Sequence, residues 1–128
     1  MLTFETFEVG KDYGSEPVTL TPGMFEDWVA LFPEDRSIAP EMPEGMSAVL
    51  TINAYMRLLS SRPPGNVHGS QKMVMKKLPR IGDTVMTSIR CVSKETRSGR
   101  RWIELETATL AADGEVHFTG TMRVVWAQ

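Results

Sequence analysis

The chain has 128 residues, 41% hydrophobic and 23% charged, the balance of an ordinary globular fold with room for one sizeable core. Its net charge of −2 argues against nucleic acid or an anionic membrane as the main partner. The single Cys91 excludes an internal disulfide and an all-cysteine metal site, and fits a reducing compartment. The opening MLTFETFEVGKDYG lacks a basic n-region and a sustained apolar run, so no signal peptide is expected. No stretch approaches the roughly 20 apolar residues that span a bilayer. One domain over residues 1–128, in the cytoplasm, is the expectation.

In chain order, the first clear element is TLTPGMFEDWVALF. Thr21 is placed as N-cap, Pro22 as first helical residue, and acidic Glu26 and Asp27 follow early. Phe25, Trp28, Val29 and Phe32 recur at helical spacing and predict one apolar face, ended by Pro33. Next comes PEDRSIAPEMPEGMSAVL, where three prolines and four carboxylates crowd into residues 33–44. This is either a loop leading into a helix or the rim of a site.

A second helix starts near Gly45 and runs through MSAVLTINAYMRLLSS. Only Thr51, Asn53 and Arg57 interrupt its apolar surface, so the pattern predicts a helix wrapped by other elements. Pro63-Pro64-Gly65 stops it. From residue 67 the period changes to two. SQKMVMKKL reads as a weak strand and PRIGD as a turn. TVMTSIRCVS places Val85, Ile89 and Cys91 on one side. Arg97-Ser98-Gly99-Arg100 is a hairpin turn into RWIELETATLA, where Ile103, Leu105, Thr107 and Thr109 share a face. Asp113-Gly114 marks another hairpin. The last strand, EVHFTGTMRVVWA, aligns Val116, Phe118, Met122, Val124 and Trp126, leaving His117 toward solvent. The predicted fold class is α+β: an antiparallel sheet curled around the one helix apolar enough to fill it. An open edge strand in so small a fold predicts a homodimer.

The order FEVGKDY, TPGMFEDWVALF, PEDRSIAP, EGMSAVL, LPRIGDTV, DGEVHFTGT resembles the MaoC-like hydratases of the hotdog superfamily over nearly the whole chain. The resemblance implies a hotdog fold and action on acyl thioesters of coenzyme A or a carrier protein. The family's motif is an aspartate, then Asn-Pro at the second and third positions after it and a histidine at the fifth. Aligned here, these fall on Asp35, Ser37, Ile38 and Pro40. The family's His-Gly-Met at the start of the central helix reads Glu44-Gly45-Met46. Both histidine positions are therefore filled by other residues. Enoyl hydration needs one group to take a proton from water and another to deliver one to the α-carbon. Imidazole does this near neutrality, and proline does neither. The helix start survives: the resemblance implies that backbone N–H groups of Gly45 and Met46, at the positive end of the helix dipole, receive the thioester carbonyl.

The candidate catalytic residues are therefore Asp35 and Glu44, and the candidate substrate-binding residues Gly45, Met46 and His68. Each has a plain alternative: Asp35 as a turn residue, Glu44 as a carboxylate favoured at a helix N-terminus, and His68 as a loop histidine. Lys76, Lys77, Arg80, Arg97, Arg100 and Arg101 read as a solvated sheet edge before they read as a phosphate site. The nine methionines are core filling or the lining of an acyl tunnel. Two separated histidines and one cysteine make no metal spacing, and neither a metal nor a cofactor is expected. Three functions follow. The first is an acyl-thioester-binding protein of hydratase type (a hydro-lyase if active). The second is a silent subunit paired with an active hotdog paralogue. The third is a thioesterase with a carboxylate base.

Overall fold

A computed structural model describes residues 1–127. Five strands form one antiparallel sheet in the order β1 (Asp12–Thr19), β3 (Thr84–Arg97), β4 (Arg100–Leu110), β5 (Val116–Val125), β2 (Val67–Met75). The helices are α1 (Pro22–Leu31) and α2 (Met46–Leu58), with a 3₁₀ turn over Pro33–Ile38 between them. The β3–β4 hairpin closes through two residues, Ser98 and Gly99, both at positive φ, 52° and 76°. That is the turn whose twist matches the strands on either side. The alternation expected along β3 and β4 is observed: Val85, Ile89, Cys91, Ile103, Leu105, Thr107 and Thr109 are all buried.

β1 has no strand signal in the sequence. DYGSEPVT is polar and carries a glycine and a proline. It forms at the sheet edge, where Pro17, opposite Met86, leaves no central ladder bond unmade. α1 begins as predicted, with the Thr21 hydroxyl accepting from the Met24 N–H at 3.2 Å. β2 starts earlier than SQKMVMKKL suggested and takes in Val67 and His68.

α2 has 13 residues and so spans about 20 Å. It joins two apolar clusters. Tyr55 and Leu59 pack with Phe7, Ile89, Leu105 and Trp126, while Met46 and Leu50 pack with Phe25, Val29, Val85 and Phe118. Arg62 ends it by donating to the carbonyls of Met56 and Leu59 at 3.0 and 3.1 Å. The helix is not wrapped on all sides as its composition predicted. Val49 is 37% and Met56 48% exposed, because the sheet covers one side and α1 only part of the other. Among the described residues, no helix is long and apolar enough to cross a membrane.

His117 departs from the expectation that it faces solvent: it is buried. Leu110 pairs with Val116 and Thr109 with Phe118, so His117 is one extra residue inserted into β5. Such a bulge breaks the alternation and re-aims the side chain.

The PRIGD turn holds the segment that precedes α2. The Met42 N–H donates to the Pro79 carbonyl at 2.9 Å, and the Ile81 N–H to the Pro40 carbonyl at 2.8 Å. Residues 40–42 are thereby strapped to the turn that leads into β3, which fixes where the chain leaves the 3₁₀ turn and turns into α2.

Candidate functional site

The 3₁₀ turn projects Asp35 back toward α1. Its Oδ2 accepts a hydrogen bond from Trp28 Nε1 at 2.8 Å. The same indole lies against Gly45: a Cβ on Gly45 would sit 2.8 and 2.9 Å from two carbons of the ring. Asp35 and Gly45 therefore meet on one tryptophan, joining the 3₁₀ turn to the start of α2. Phe32 packs on that indole with ring centroids 4.5 Å apart. Arg36 locks the turn from outside through two bonds to Glu26, 3.0 and 2.9 Å long. The guanidinium holds the Glu26 carboxyl below its usual range and is itself raised by it.

The helix start differs from the sequence reading in one respect. Met46 does not offer a free N–H, because it donates to the Pro43 carbonyl at 3.0 Å. Ser47 and Ala48 likewise donate to Glu44 and Gly45, at 3.1 and 3.3 Å. The helix begins with a tight turn that uses these donors internally. Among the described residues, the Gly45 N–H has no protein acceptor. Met46 instead contributes a buried side chain. Glu44 is exposed, beside Gly45 in sequence.

His68 is not part of this cluster within one chain. It pairs with Val124, whose side chain packs with Tyr55 and Leu59 at the far end of α2. Among the described residues, Trp28 is the one side chain hydrogen-bonded to Asp35. An indole N–H is a donor only and cannot take up a proton. Asp35 thus has one oriented oxygen and no imidazole beside it.

A groove opens from the cluster. A cavity of about 320 Å³ lies between α1 and α2, lined by Met24, Asp27, Trp28, Leu31, Met46, Val49 and Asn53. Met24 and Asn53 also border a second cavity of about 210 Å³, which reaches Val18, Leu50, Ala54 and Thr87. Glu16 and Arg57, paired at 3.2 Å, stand at its wall. The two form a mainly apolar path from Trp28 along α2. No group of three or more His, Cys, Asp or Glu residues among the described residues is placed to hold a metal.

Trp28 was missed as a site residue because its place in the i, i+3, i+4 pattern of α1 accounts for its ring. The overlooked signal is its N–H: a tryptophan on a packed face needs an acceptor, and Asp35 is seven residues on.

A curled antiparallel sheet over one central helix, with a clefted helix start, defines a hotdog fold. No protein-family model and no curated protein matches this sequence. Solved structures do share its fold. The (R)-hydratase from A. caviae involved in PHA biosynthesis superposes with a TM-score of 0.78 at 18% identity, over 96% of this chain and 99% of that one. The MaoC-like dehydratase from Rhodospirillum rubrum gives 0.75 at 16% identity, over 100% and 99%. The HadBC (3R-hydroxyacyl-ACP dehydratase) complex from Mycobacterium tuberculosis gives 0.72 at 13% identity, over 91% and 95%. The chain has the hotdog fold, in the form found in hydratases and MaoC-like dehydratases.

Proposed function

We propose that this chain binds acyl thioesters of coenzyme A or a carrier protein. The acyl chain lies in the α1–α2 groove and the thioester beside Asp35 and the Gly45 N–H. The observation that carries this reading is the apolar path that opens at Trp28 and Met46, the residues flanking Asp35 and Gly45. Similarity of fold to a 3R-hydroxyacyl-ACP dehydratase complex supports it.

In hydration, Asp35 would take a proton from water as the hydroxyl adds to the β-carbon. A second group must then protonate the α-carbon. Pro40 and Glu44 stand where the resemblance calls for histidines, and Trp28 occupies one oxygen of Asp35. This favours a second reading, a binding subunit whose proton donor comes from another hotdog chain. Pairing is proposed through β2, whose outer edge has no neighbouring strand among the described residues. The partner is a second copy or a related subunit.

The test is titration with a series from butyryl- to dodecanoyl-CoA. Affinity is expected to rise roughly fourfold per methylene until the groove is filled, from about 0.8 kcal/mol per buried CH₂. Ala54→Leu, which projects into the inner cavity, should shorten the longest chain that still gains affinity. Absence of saturable binding by any acyl-CoA or acyl-carrier protein would rule the proposal out. Hydration of enoyl-CoA by the purified chain, abolished in Asp35→Asn, would favour the enzyme over the silent subunit.

A further inference from the structure

We infer that the cavity under the β4–β5 hairpin is a second ligand site, built around His117, for a small carboxamide. The cavity measures about 290 Å³ and is lined by Asp83, Thr84, Val85, Ala111, Ala112, Asp113 and His117. That volume corresponds to roughly ten waters. None of these residues borders the α1–α2 groove, so the site stands or falls apart from the thioester reading.

The bulge in β5 turns His117 inward, where only 5% of it stays exposed. Its Nδ1 is sealed from solvent and has no hydrogen-bond partner. No side-chain hydrogen bond of His117 exists among the described residues, and Nε2 is not sealed, so Nε2 opens on the cavity. A buried N–H without an acceptor is rarer and costlier than a buried acceptor without a donor. The favoured neutral tautomer therefore carries its hydrogen on Nε2 and presents an N–H to the cavity.

Facing it are two carboxylates, each with one oxygen committed to its own turn. Asp83 Oδ2 accepts from the Arg80 N–H at 2.8 Å, and Asp113 Oδ1 from the Glu115 N–H at 2.9 Å. Neither is in an ion pair among the described residues, so each keeps an acceptor oxygen. Val85, Ala111 and Ala112 supply apolar wall. The site thus offers one imidazole N–H donor, two carboxylate acceptors, the Thr84 hydroxyl, which is already paired with the Thr19 hydroxyl at 2.7 Å, and short apolar sides. A carboxylate would be repelled by both aspartates. An alkylammonium would meet the aspartates but leave the imidazole N–H without an acceptor. A carboxamide answers both, its carbonyl accepting from Nε2 and its N–H donating to a carboxylate.

The chain has two histidines, so imidazole ¹⁵N spectra resolve them, with His68→Gln making the assignment. The free protein should show His117 with hydrogen on Nε2. Propionamide should shift that signal saturably and leave His68 unmoved. Propylammonium and propionate should bind about three- to tenfold more weakly, the worth of the missing hydrogen bond. Asp83→Asn with Asp113→Asn should weaken propionamide by a similar factor. Hydrogen on Nδ1, no saturable shift at His117, an equal shift at His68, or propylammonium binding as well as propionamide would each overturn the proposal. Because the wild-type spectra alone decide it, poor folding of the double variant leaves the test intact.

Discussion

Gly45→Ala is expected to destabilise the chain by about 1–3 kcal/mol, the usual range for forcing atoms into a packed site. The sign is informative because backbone arguments predict the opposite. Gly45 has φ −61° and ψ −25°, a helical conformation that any residue adopts. Replacing glycine there would by itself favour folding, by restricting the unfolded chain. The loss comes instead from the Trp28 ring, which occupies the space of the new methyl group at 2.8 Å. Trp28→Phe removes the ring carbons that clash. It also deletes the bond to the Asp35 carboxylate, an interaction of about 1.5–3 kcal/mol when the acceptor is charged and less where it is partly exposed. In the Trp28→Phe background, Gly45→Ala should be neutral or stabilising. Urea denaturation of the four proteins gives the coupling directly. Equal effects of Gly45→Ala in both backgrounds would show that the indole does not constrain the helix start.

Trp126→Ala is expected to be the most damaging single change considered, at about 3–5 kcal/mol. Its ring is 1% exposed and meets Phe7 edge-on, with centroids 4.7 Å apart and planes at 88°. Its Nε1 donates to the Leu2 carbonyl at 2.9 Å, which ties the first residues to the sheet. Cys91 lies in the same cluster and reports on it, since burial pushes its thiol up and keeps it from reagents. Trp126→Ala should lower the denaturation midpoint and speed modification of Cys91. Trp126→Phe should do less of both, and acyl-CoA affinity should not change, because none of the residues lining the groove belongs to that cluster. A loss under about 1 kcal/mol for the alanine variant would contradict the packing described for that cluster.

The residues involved in these predictions divide by how far apart their partners lie. Thr21 capping α1, Ser98-Gly99 turning β3 into β4, and the inward Val85, Ile89, Leu105 and Phe118 were readable because each follows from neighbours a few residues away. Asp35 and Gly45 were picked out by resemblance to a family pattern, and the structure brings them together on Trp28. His68, a candidate because it stands at a strand start near where the tunnel of such a fold opens, lies at the other end of α2.

By itself the sequence determined the strands β3 to β5, the helix that crosses them and the tight turns, since periodicity and turn chemistry are local. Tertiary structure alone decided the rest. Polar DYGSEPVT became an edge strand because β3 offered it a free ladder. The Met46 N–H was spent on Pro43, so Gly45 holds the open donor at the helix start. One extra residue in β5 moved His117 from the predicted surface into a cavity. In each case the outcome depended on which group stood opposite across the fold, and no spacing along the chain encodes that.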